Sequence, residues 1–279
     1  MKKWTIHDVK QNWVNRDKNA HKGSNGKIGI AAGSELMPGA AVLASKAAVY
    51  AGAGLTTLST VKSVIPIAAV SVPEVTYHLR DSCLDSFMDG KNVIAAGPGL
   101  GRSDSVREMI RTFIQHDSET LIIDADGLYF LNEFKDDLKK REYPVVITPH
   151  AGEMARITNQ TIDEINQNRI QTAENTAAEL NTYVVLKGPE TVTAAPNGRT
   201  AINTSGNQGL ANGGSGDVLT GIIAAFLGRY DDIFAGTASA VFLHGHTADY
   251  LVSGGTPVDT ITPSVLIDTF RQSFNISST

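Results

Sequence analysis

Short runs of apolar, β-branched residues alternate along the chain with longer segments whose apolar positions recur at helical spacing. The short runs predict strands, and the longer segments predict helices. The strands are expected at 27–32, 55–60, 75–79, 92–96, 120–124, 145–148, 183–187, 191–195 and 199–203. The helices are expected at 39–53, 103–116, from about 150, 161–180, 217–227, 232–252 and 263–274. This alternation predicts an α/β fold with a mostly parallel sheet and helices on both of its faces.

The pattern changes towards the C-terminal part of the chain. Asn197-Gly198 is a strong hairpin signal between the last two predicted strands, so we expect the sheet to become antiparallel there. No segment has the composition of a linker between domains. The expectation is therefore a single domain over residues 1–279.

Composition and charge narrow the classes of function. The chain has 279 residues, 24 basic and 29 acidic side chains, a net charge of −5 and a pI near 5.8, which argues against nucleic acid or an anionic membrane surface as partner. No apolar segment is long enough for a membrane span, and the first residues do not resemble a secretory signal, so we expect a cytoplasmic protein. A single cysteine, Cys83, excludes a disulfide framework.

The most informative segment is the glycine-rich loop Asn212-Gly213-Gly214-Ser215-Gly216-Asp217, which opens an apolar helix. Such a loop can point several backbone N–H groups at one spot, where the helix start adds partial positive charge. This suits a phosphoryl group in transfer. Asp217 at the mouth of that site fits a base that takes a proton from an attacking hydroxyl. The alternative interpretation is that Asp217 only caps the helix.

Three common signatures are absent from the sequence. The P-loop pattern Gly-x4-Gly-Lys-Ser/Thr does not occur. The dinucleotide-binding pattern Gly-x-Gly-x-x-Gly, started at Gly97, would need a glycine where Arg102 stands. The hydrolase pattern Gly-x-Ser-x-Gly around Ser215 would need a glycine where Asp217 stands. The loop Gly97-Pro98-Gly99-Leu100-Gly101 follows a predicted strand directly. Its backbone could approach a ligand there, or it could be an ordinary strand–helix loop.

Two further segments are candidate binding sites. In Thr148-Pro149-His150-Ala151-Gly152-Glu153, His150 and Glu153 lie three apart and share one helix face. They are either a structural pair, or a polar substrate contact and a carboxylate that holds Mg²⁺ through water. Lys187-Gly188-Pro189-Glu190-Thr191 either meets a phosphate or forms a plain turn.

Other polar groups carry weaker signals. His244 and His246 lie two apart on a predicted helix and face different sides, which indicates packing or surface roles. Asp124 and Asp126 do not continue into a calcium-binding loop.

Taken together, these motifs resemble the ribokinase-like superfamily, with its three-layer α/β/α fold, and within it the NAD(P)H-hydrate dehydratase family. The resemblance rests on motifs in family order from about residue 20 to 255, namely His21-Lys22-Gly23-x-x-Gly26, Gly39-Ala40-Ala41, Gly52-Ala53-Gly54, Gly97–Gly101, Thr148–Glu153, Leu186-Lys187-Gly188 and Asn212–Gly221. His150 stands where the superfamily's sugar kinases have an Asn, as in the dehydratases, which disfavours a sugar substrate.

The resemblance implies repair of nicotinamide cofactors. The substrate would be the S-form of NADH or NADPH hydrated at C6 of the nicotinamide ring. ADP, or ATP, would phosphorylate the C6 hydroxyl, and phosphate would then leave to restore the ring double bond. Mg²⁺ is expected. The resemblance also implies a homotetramer and a separate epimerase, for which a chain of this length has no room.

The resemblance assigns the following roles. Asp217 would be the base, and the N–H groups of Gly214, Ser215 and Gly216 would hold the moving phosphoryl group. The remaining contacts would come from Ala40, Gly99, Gly101, His150 and Asp217 for the hydrate, from Lys187, Gly188, Pro189, Glu190, Thr191 and Gly216 for the nucleotide, and from Glu153, through water, for the metal. Two other functions stay open: a ribokinase-like kinase of a thiazole or pyrimidine alcohol, and a nucleotide sensor without turnover.

Overall fold

The computed structural model describes residues 2–21 and 23–273, and within them ten strands form one sheet. The strands are β1 Lys2–Trp4, β2 Lys27–Ala31, β3 Leu55–Thr60, β4 Thr76–Leu79, β5 Val93–Ala96, β6 Thr120–Ile123, β7 Val145–Ile147, β8 Tyr183–Leu186, β9 Val192–Ala194 and β10 Thr200–Asn203. Their order is β1-β10-β9-β8-β7-β6-β5-β2-β3-β4. Lys22 of the first glycine motif, and Phe274 at the expected end of the last helix, lie outside the described residues.

Helices cover both faces of this sheet. The α-helices are α1 Ile6–Gln11, α2 Pro38–Tyr50, α3 Ile65–Ser71, α4 Leu84–Met88, α5 Asp104–Gln115, α6 Lys135–Lys140, α7 Ala151–Thr158, α8 Ile162–Gln167, α9 Arg169–Leu180, α10 Ser215–Leu227, α11 Ile233–Ser253 and α12 Pro263–Ser273. Short 3-10 helices span Ala125–Phe134, Gln208–Leu210 and Val258–Thr260. Among the described helices, none is both long and apolar enough to cross a membrane.

The pairing of the strands confirms the predicted architecture. From β4 across to β8 every neighbouring pair is parallel, whereas β8 with β9 and β9 with β10 are antiparallel. The turn at Asn197-Gly198 joins the antiparallel pair β9 and β10, as the sequence predicts. β1 adds a parallel strand beside β10 at the edge.

Alternate residues of the central strands feed two apolar cores. In β8, Val184 and Leu186 pack with α5, α7 and α9, and Val185 points to the opposite face, where α2, α10, α11 and α12 lie. This burial on both faces explains the continuous apolar runs in the sequence. Helices α2 and α10 approach each other so closely at Gly221 that even a Cβ atom there would overlap the carbonyl oxygen of Ala44.

Some predicted boundaries are wrong. The helix expected at 161–180 is two helices, because the backbone of Asn168 leaves helical geometry (φ −130°, ψ 38°) between α8 and α9. The helix expected at 39–53 ends at Tyr50, and α10 begins at Ser215, two residues before the expected start. The sequence interpretation also missed β1, α1, α3, α4 and α6, which have at most seven residues each and carry little periodicity.

Candidate active site

The polar candidates meet at the edge of the sheet where the parallel strands end. Lys187 follows β8, His150 follows β7 by three residues, Asp124 follows β6, and Gly97 follows β5. Because these strands are neighbours and run in the same direction, their C-terminal ends form one continuous edge. Such an edge is where open α/β sheets bind ligands.

The start of α10 stands beside this edge. Gly214 is the N-cap residue, with a left-handed backbone (φ 97°), and a Cβ there would lie 2.6 Å from the Leu43 side chain. The N–H of Ser215 donates to the carbonyl of Asn212 at 3.2 Å. Among the described residues, no backbone acceptor outside α10 takes the N–H groups of Gly214 or Gly216. Those two groups can meet an anion at once, while the predicted contact of Ser215 requires its turn bond to open.

A buried ion pair joins the end of β6 to the end of β8. Lys187 Nζ lies 2.8 Å from Asp124 Oδ1, and Thr220 Oγ1 of α10 donates to Asp124 Oδ2 at 2.6 Å. The Asp124 side chain is 1% exposed, whereas that of Lys187 keeps 19% exposure. Burial alone would raise the pKa of Asp124, but Lys187 and the hydrogen bonds outweigh it and hold this pKa below its ordinary value. Asp124 is thus an anchored anion that places the lysine.

Lys187 also lies beside the anion loop. A Cβ at Gly216 would be 3.3 Å from Lys187 Nζ. Burial would lower the pKa of Lys187, but the carboxylates of Asp124, Glu153 and Asp217 overcome this and raise it. The side chain therefore stays cationic next to the helix start. A cation and free N–H groups at one place suit a phosphate.

Asp217 occupies the third position of α10, one residue beyond Gly216. Burial, followed by the charge of Asp124 and a smaller effect of Asp126, raises its pKa to about 6, against the opposing effect of Lys187. No described residue donates a hydrogen bond to its side chain, in contrast to the engaged carboxylate of Asp124. A partly buried carboxylate with a pKa close to neutrality has the properties of a general base.

His150 and Glu153 form a reciprocal cap on α7. His150 Nδ1 accepts from the N–H groups of Gly152 (3.0 Å) and Glu153 (3.3 Å), and a Glu153 oxygen accepts from the N–H of His150 at 2.8 Å. This cap accounts for the spacing of three residues. The His150 side chain is 59% exposed and that of Glu153 is 14% exposed. The imidazole thus remains largely exposed, with its Nε2 atom 3.5 Å from Glu153 Oε1.

The segment after Lys187 is a compact turn. Thr191 Oγ1 donates to the carbonyl of Gly188 at 2.8 Å, and Pro189 and Glu190 are exposed at the tip. Glu190 has a left-handed backbone (φ 51°). The predicted nucleotide segment is thus a turn, as the simpler interpretation held, and it sits next to the anion loop.

The predicted hydrate contacts also lie together. A Cβ at Gly99 would be 2.7 Å from the Cβ of Ala40 in the first turn of α2. Gly101 donates its N–H to Asp126 Oδ2 at 2.9 Å, and Arg102 pairs with the same carboxylate. The backbone N–H of Gly101 is therefore already engaged, and a ligand would meet the rest of its backbone.

The described side chains suit a Mg²⁺ ion that is bound mainly by oxygens of water and of substrate phosphates. Within the described part of the chain, no three His, Cys, Asp or Glu side chains form a cluster that would hold a metal. Mg²⁺ commonly keeps several waters and takes one or two carboxylates plus substrate phosphates. Glu153, beside Lys187 and partly exposed, fits such water-mediated contact, and the fit does not need a protein cage.

Sequence reasoning missed Asp124 and Thr220. It considered Asp124 only as a calcium ligand, although the predicted strand 120–124 ends on this carboxylate, which was the available signal. His244 is buried in α11, where burial lowers its pKa to about 4, an effect that the nearby backbone of Ser215 partly offsets. It is neutral and packed under the anion loop, in agreement with the packing role.

Comparison of the whole structure with solved structures defines the class of protein. A ribokinase-like superfamily protein from Enterococcus faecalis superposes with a TM-score of 0.86 at 26% identity, covering 97% of this chain and 94% of the other. The crystal structure of ADP/ATP-dependent NAD(P)H-hydrate dehydratase from Bacillus subtilis, co-crystallised with ATP/Mg²⁺, superposes with a TM-score of 0.89 at 35% identity, covering 98% and 97% of the two chains. The fold is ribokinase-like.

Sequence comparison then gives the family. The profile of the family described as NAD(P)H-hydrate dehydratase matches residues 28–271, so the chain belongs to this family. The ADP-dependent (S)-NAD(P)H-hydrate dehydratase of Bacillus subtilis is 38% identical over 250 residues, which are 88% of each chain. The bifunctional NAD(P)H-hydrate repair enzyme of Thermofilum pendens is 37% identical over 84% of this chain. The chain spans about half (47%) of that longer relative.

Proposed function

We propose that this protein dehydrates the S-form of C6-hydrated NADH and NADPH in a reaction that consumes ADP or ATP. Family membership and the named activity of the Bacillus subtilis relative support the reaction class. The observation that carries the proposal is the base-and-anion arrangement: a carboxylate with a pKa of about 6 stands one residue from a free N–H group and close to a lysine.

In the first step, the C6 hydroxyl oxygen attacks the terminal phosphorus of the nucleotide while Asp217 takes the hydroxyl proton. The bond between that phosphorus and the bridging oxygen breaks, and the shortened nucleotide leaves with the electron pair. The N–H groups of Gly214 and Gly216 stabilise the charge on the phosphoryl oxygens, together with Lys187. Asp124 holds Lys187 for this role, because their ion pair fixes the Nζ position.

In the second step, the C6–O bond breaks and phosphate leaves with its electron pair. The lone pair of the ring nitrogen assists, and loss of the proton from C5 restores the C5–C6 double bond. Phosphate is a far better leaving group than hydroxide, which explains why a dehydration uses a nucleotide. We assign contact with the ring to His150, which is exposed and follows β7, between the strands that carry Lys187 and Asp124.

Mg²⁺ would lie near Glu153, held through water and by the nucleotide phosphates. When bound, it would neutralise charge on the phosphate oxygens. We assign the nucleotide to residues 187–191 with Gly216, and the hydrate to Ala40, Gly99, Gly101, His150 and Asp217. The turn geometry and the short Ala40–Gly99 approach support these assignments.

The test mixes the protein with S-hydrated NADH, Mg²⁺ and either ADP or ATP, and follows the return of NADH absorbance. We expect return of absorbance that requires a nucleotide and releases one phosphate per NADH formed. No return with either nucleotide would refute the proposal. A phosphorylated alcohol that persists in solution would support the kinase alternative, and nucleotide binding without any turnover would support a sensor.

The resemblance also motivates three proposals about the setting of the reaction. We assign the protein to the cytoplasm, as a homotetramer, alongside a separate epimerase that supplies the S-form of the hydrate. Size-exclusion chromatography with light scattering tests the tetramer. On an equal mixture of the two C6 epimers of the hydrate, the protein alone should stop at half conversion, and added epimerase should carry the reaction to completion. Full conversion without an epimerase would count against the partnership.

A further inference from the structure

Arg80 connects two loops on the hydrate side of the site. It follows β4 directly, and its N–H donates to the carbonyl of Thr60 at 2.9 Å, which fixes its backbone at the end of the sheet. Its Nη1 donates to the carbonyls of Gly33 (3.1 Å) and Leu100 (3.4 Å). The guanidinium therefore reaches back from β4 to the loops that follow β2 and β5.

This guanidinium is partly buried without a close counterion. Among the described residues, no carboxylate lies within 4.0 Å of it, and Asp81 acts only at longer range. Burial lowers the pKa of Arg80. A cation that is desolvated but unpaired is unfavourable unless an anion completes its surroundings.

Part of the guanidinium remains available to a ligand. Nη1 makes both protein contacts, whereas Nε and Nη2 have no hydrogen-bond partner among the described residues. Neither atom belongs to the fully buried, unpaired set, so both face accessible space. A planar fork with free N–H groups suits phosphate oxygens.

The position also matches the dimensions of the proposed substrate. Leu100, whose carbonyl accepts from Arg80, lies between Gly99 and Gly101, the assigned hydrate contacts. β2 and β6 flank β5 in the sheet, so the loops that Arg80 joins lie one to two strand spacings, roughly 5–10 Å, from Asp124. In a dinucleotide, a ribose separates the ring from the diphosphate. The diphosphate would then fall near Arg80 when the C6 hydroxyl is near Asp217.

We propose that Arg80 binds the diphosphate of the hydrated dinucleotide, so that the site selects dinucleotides over fragments that lack this group. This inference rests on the proposed function, because it assumes which ligand occupies the edge from β6 to β4. The role differs from that of Lys187, which serves the nucleotide at the other end. It requires no change in the chemistry at C6.

The test compares Arg80→Gln with the native protein on two substrates, S-hydrated NADH and hydrated reduced nicotinamide riboside, which has no phosphate. Loss of charge-assisted hydrogen bonds predicts a KM for hydrated NADH raised by about tenfold to a hundredfold, with kcat little changed. The value of kcat/KM for the riboside should not change. Equal losses on both substrates would show that Arg80 only holds the loops, and an unchanged KM would remove the role altogether.

Two further variants complete the design. Arg111→Gln is the matched control, because Arg111 is a surface residue with 52% side-chain exposure on α5. Arg80→Lys keeps the charge, so the KM for hydrated NADH should rise less than in Arg80→Gln. If Arg80→Gln does not fold, the ratio between the two substrates in Arg80→Lys decides the question.

A binding measurement separates this inference from the proposed function. In the presence of saturating AMP, the Kd for NADH should rise about tenfold or more in Arg80→Gln, while the Kd for AMP should not change. If Arg80→Gln weakens NADH binding in this way but the native protein shows no turnover, the proposed function fails and the role of Arg80 stands. No binding of NADH to the native protein would overturn the role. A much larger loss for NADPH than for NADH would also overturn it, because the bound anion would then be the additional phosphate of NADPH.

Discussion

Replacing Asp217 by Asn tests the base directly. Asn has nearly the same shape but cannot accept the hydroxyl proton. Removing a general base typically lowers a rate by about 10²–10⁴-fold, so kcat should fall by that factor. Nucleotide binding should persist, because the free N–H groups of the loop and Lys187 are unchanged.

The same substitution should stabilise the fold. Burial and Asp124 raise the pKa of Asp217 from 3.8 to about 6, which corresponds to at most about 3 kcal/mol of destabilisation when this carboxylate is ionised. Because the folded-state pKa is the higher one, the native protein keeps this stability below about pH 4 and loses it as the pH rises through about 6. Asp217→Asn abolishes that loss. Its Tm at neutral pH should therefore exceed the native value by several degrees.

The assay measures kcat by the return of NADH absorbance and Tm by circular dichroism over a series of pH values. Asp268→Asn is the control, because Asp268 is a surface carboxylate with 58% side-chain exposure, and both quantities should stay near native values. Near-native kcat in Asp217→Asn would remove the base assignment. A Tm difference that does not grow between about pH 4 and 6 would refute the buried-charge reasoning.

Three other substitutions probe the surroundings of the base. Lys187→Ala should raise the Kd for ADP at least about tenfold in calorimetry and lower Tm markedly, because it leaves Asp124 buried without its cation, at a cost of about 3–5 kcal/mol; an unchanged Kd would count against the phosphate contact. Thr220→Val should cost about 1–3 kcal/mol in denaturant unfolding by removing the 2.6 Å bond to Asp124, whereas Thr220→Ser should stay near native, and equal losses would argue against the hydroxyl. His244→Gln should protect the fold in acid. The folded-state pKa of His244, about 4, lies below the ordinary value of 6.5, so the native protein loses stability as the pH drops from 6.5 to 4. A Gln variant whose Tm is equally sensitive to acid would contradict this reasoning.

Much of the fold was predictable because its signals are local. The strand expected at 55–60 matches β3, and the helix expected at 103–116 is α5, which Ser103 caps by accepting a hydrogen bond from the N–H of Val106. The short edge strand β1 was not predictable in this way. It pairs with β10, some two hundred residues away in the chain, and no pattern within three residues encodes such a partner.

The site likewise contains residues that local sequence predicts and residues that only the folded sheet brings together. The glycine loop and Asp217 stand out in the sequence, because several small residues before an apolar helix have few structural explanations. The role of Asp124 needs the sheet itself: its partners Lys187 and Thr220 lie 63 and 96 residues away. The spacing of His150 and Glu153 was open to two interpretations, and the structure shows that a helix cap alone accounts for it. Their proposed ligand contacts must be tested separately.

The order of the strands explains how one edge can serve two ligands. Along β8-β7-β6-β5-β2-β3-β4, the edge carries Lys187 at one end, Asp124 in the middle and Arg80 towards the other end. The start of α10 lies over the ends of β6 and β8: a Cβ at Gly216 would be 3.3 Å from Lys187 Nζ and 4.0 Å from Asp124 Oδ2, and Asp217 follows Gly216 directly. A phosphoryl donor held near β8 and an acceptor held between β5 and β4 would therefore meet at Asp217. Because the two proposed ligand sites lie on different strands, weakening one cation should affect one ligand only. Lys187→Ala and Arg80→Gln should therefore separate nucleotide affinity from dinucleotide affinity.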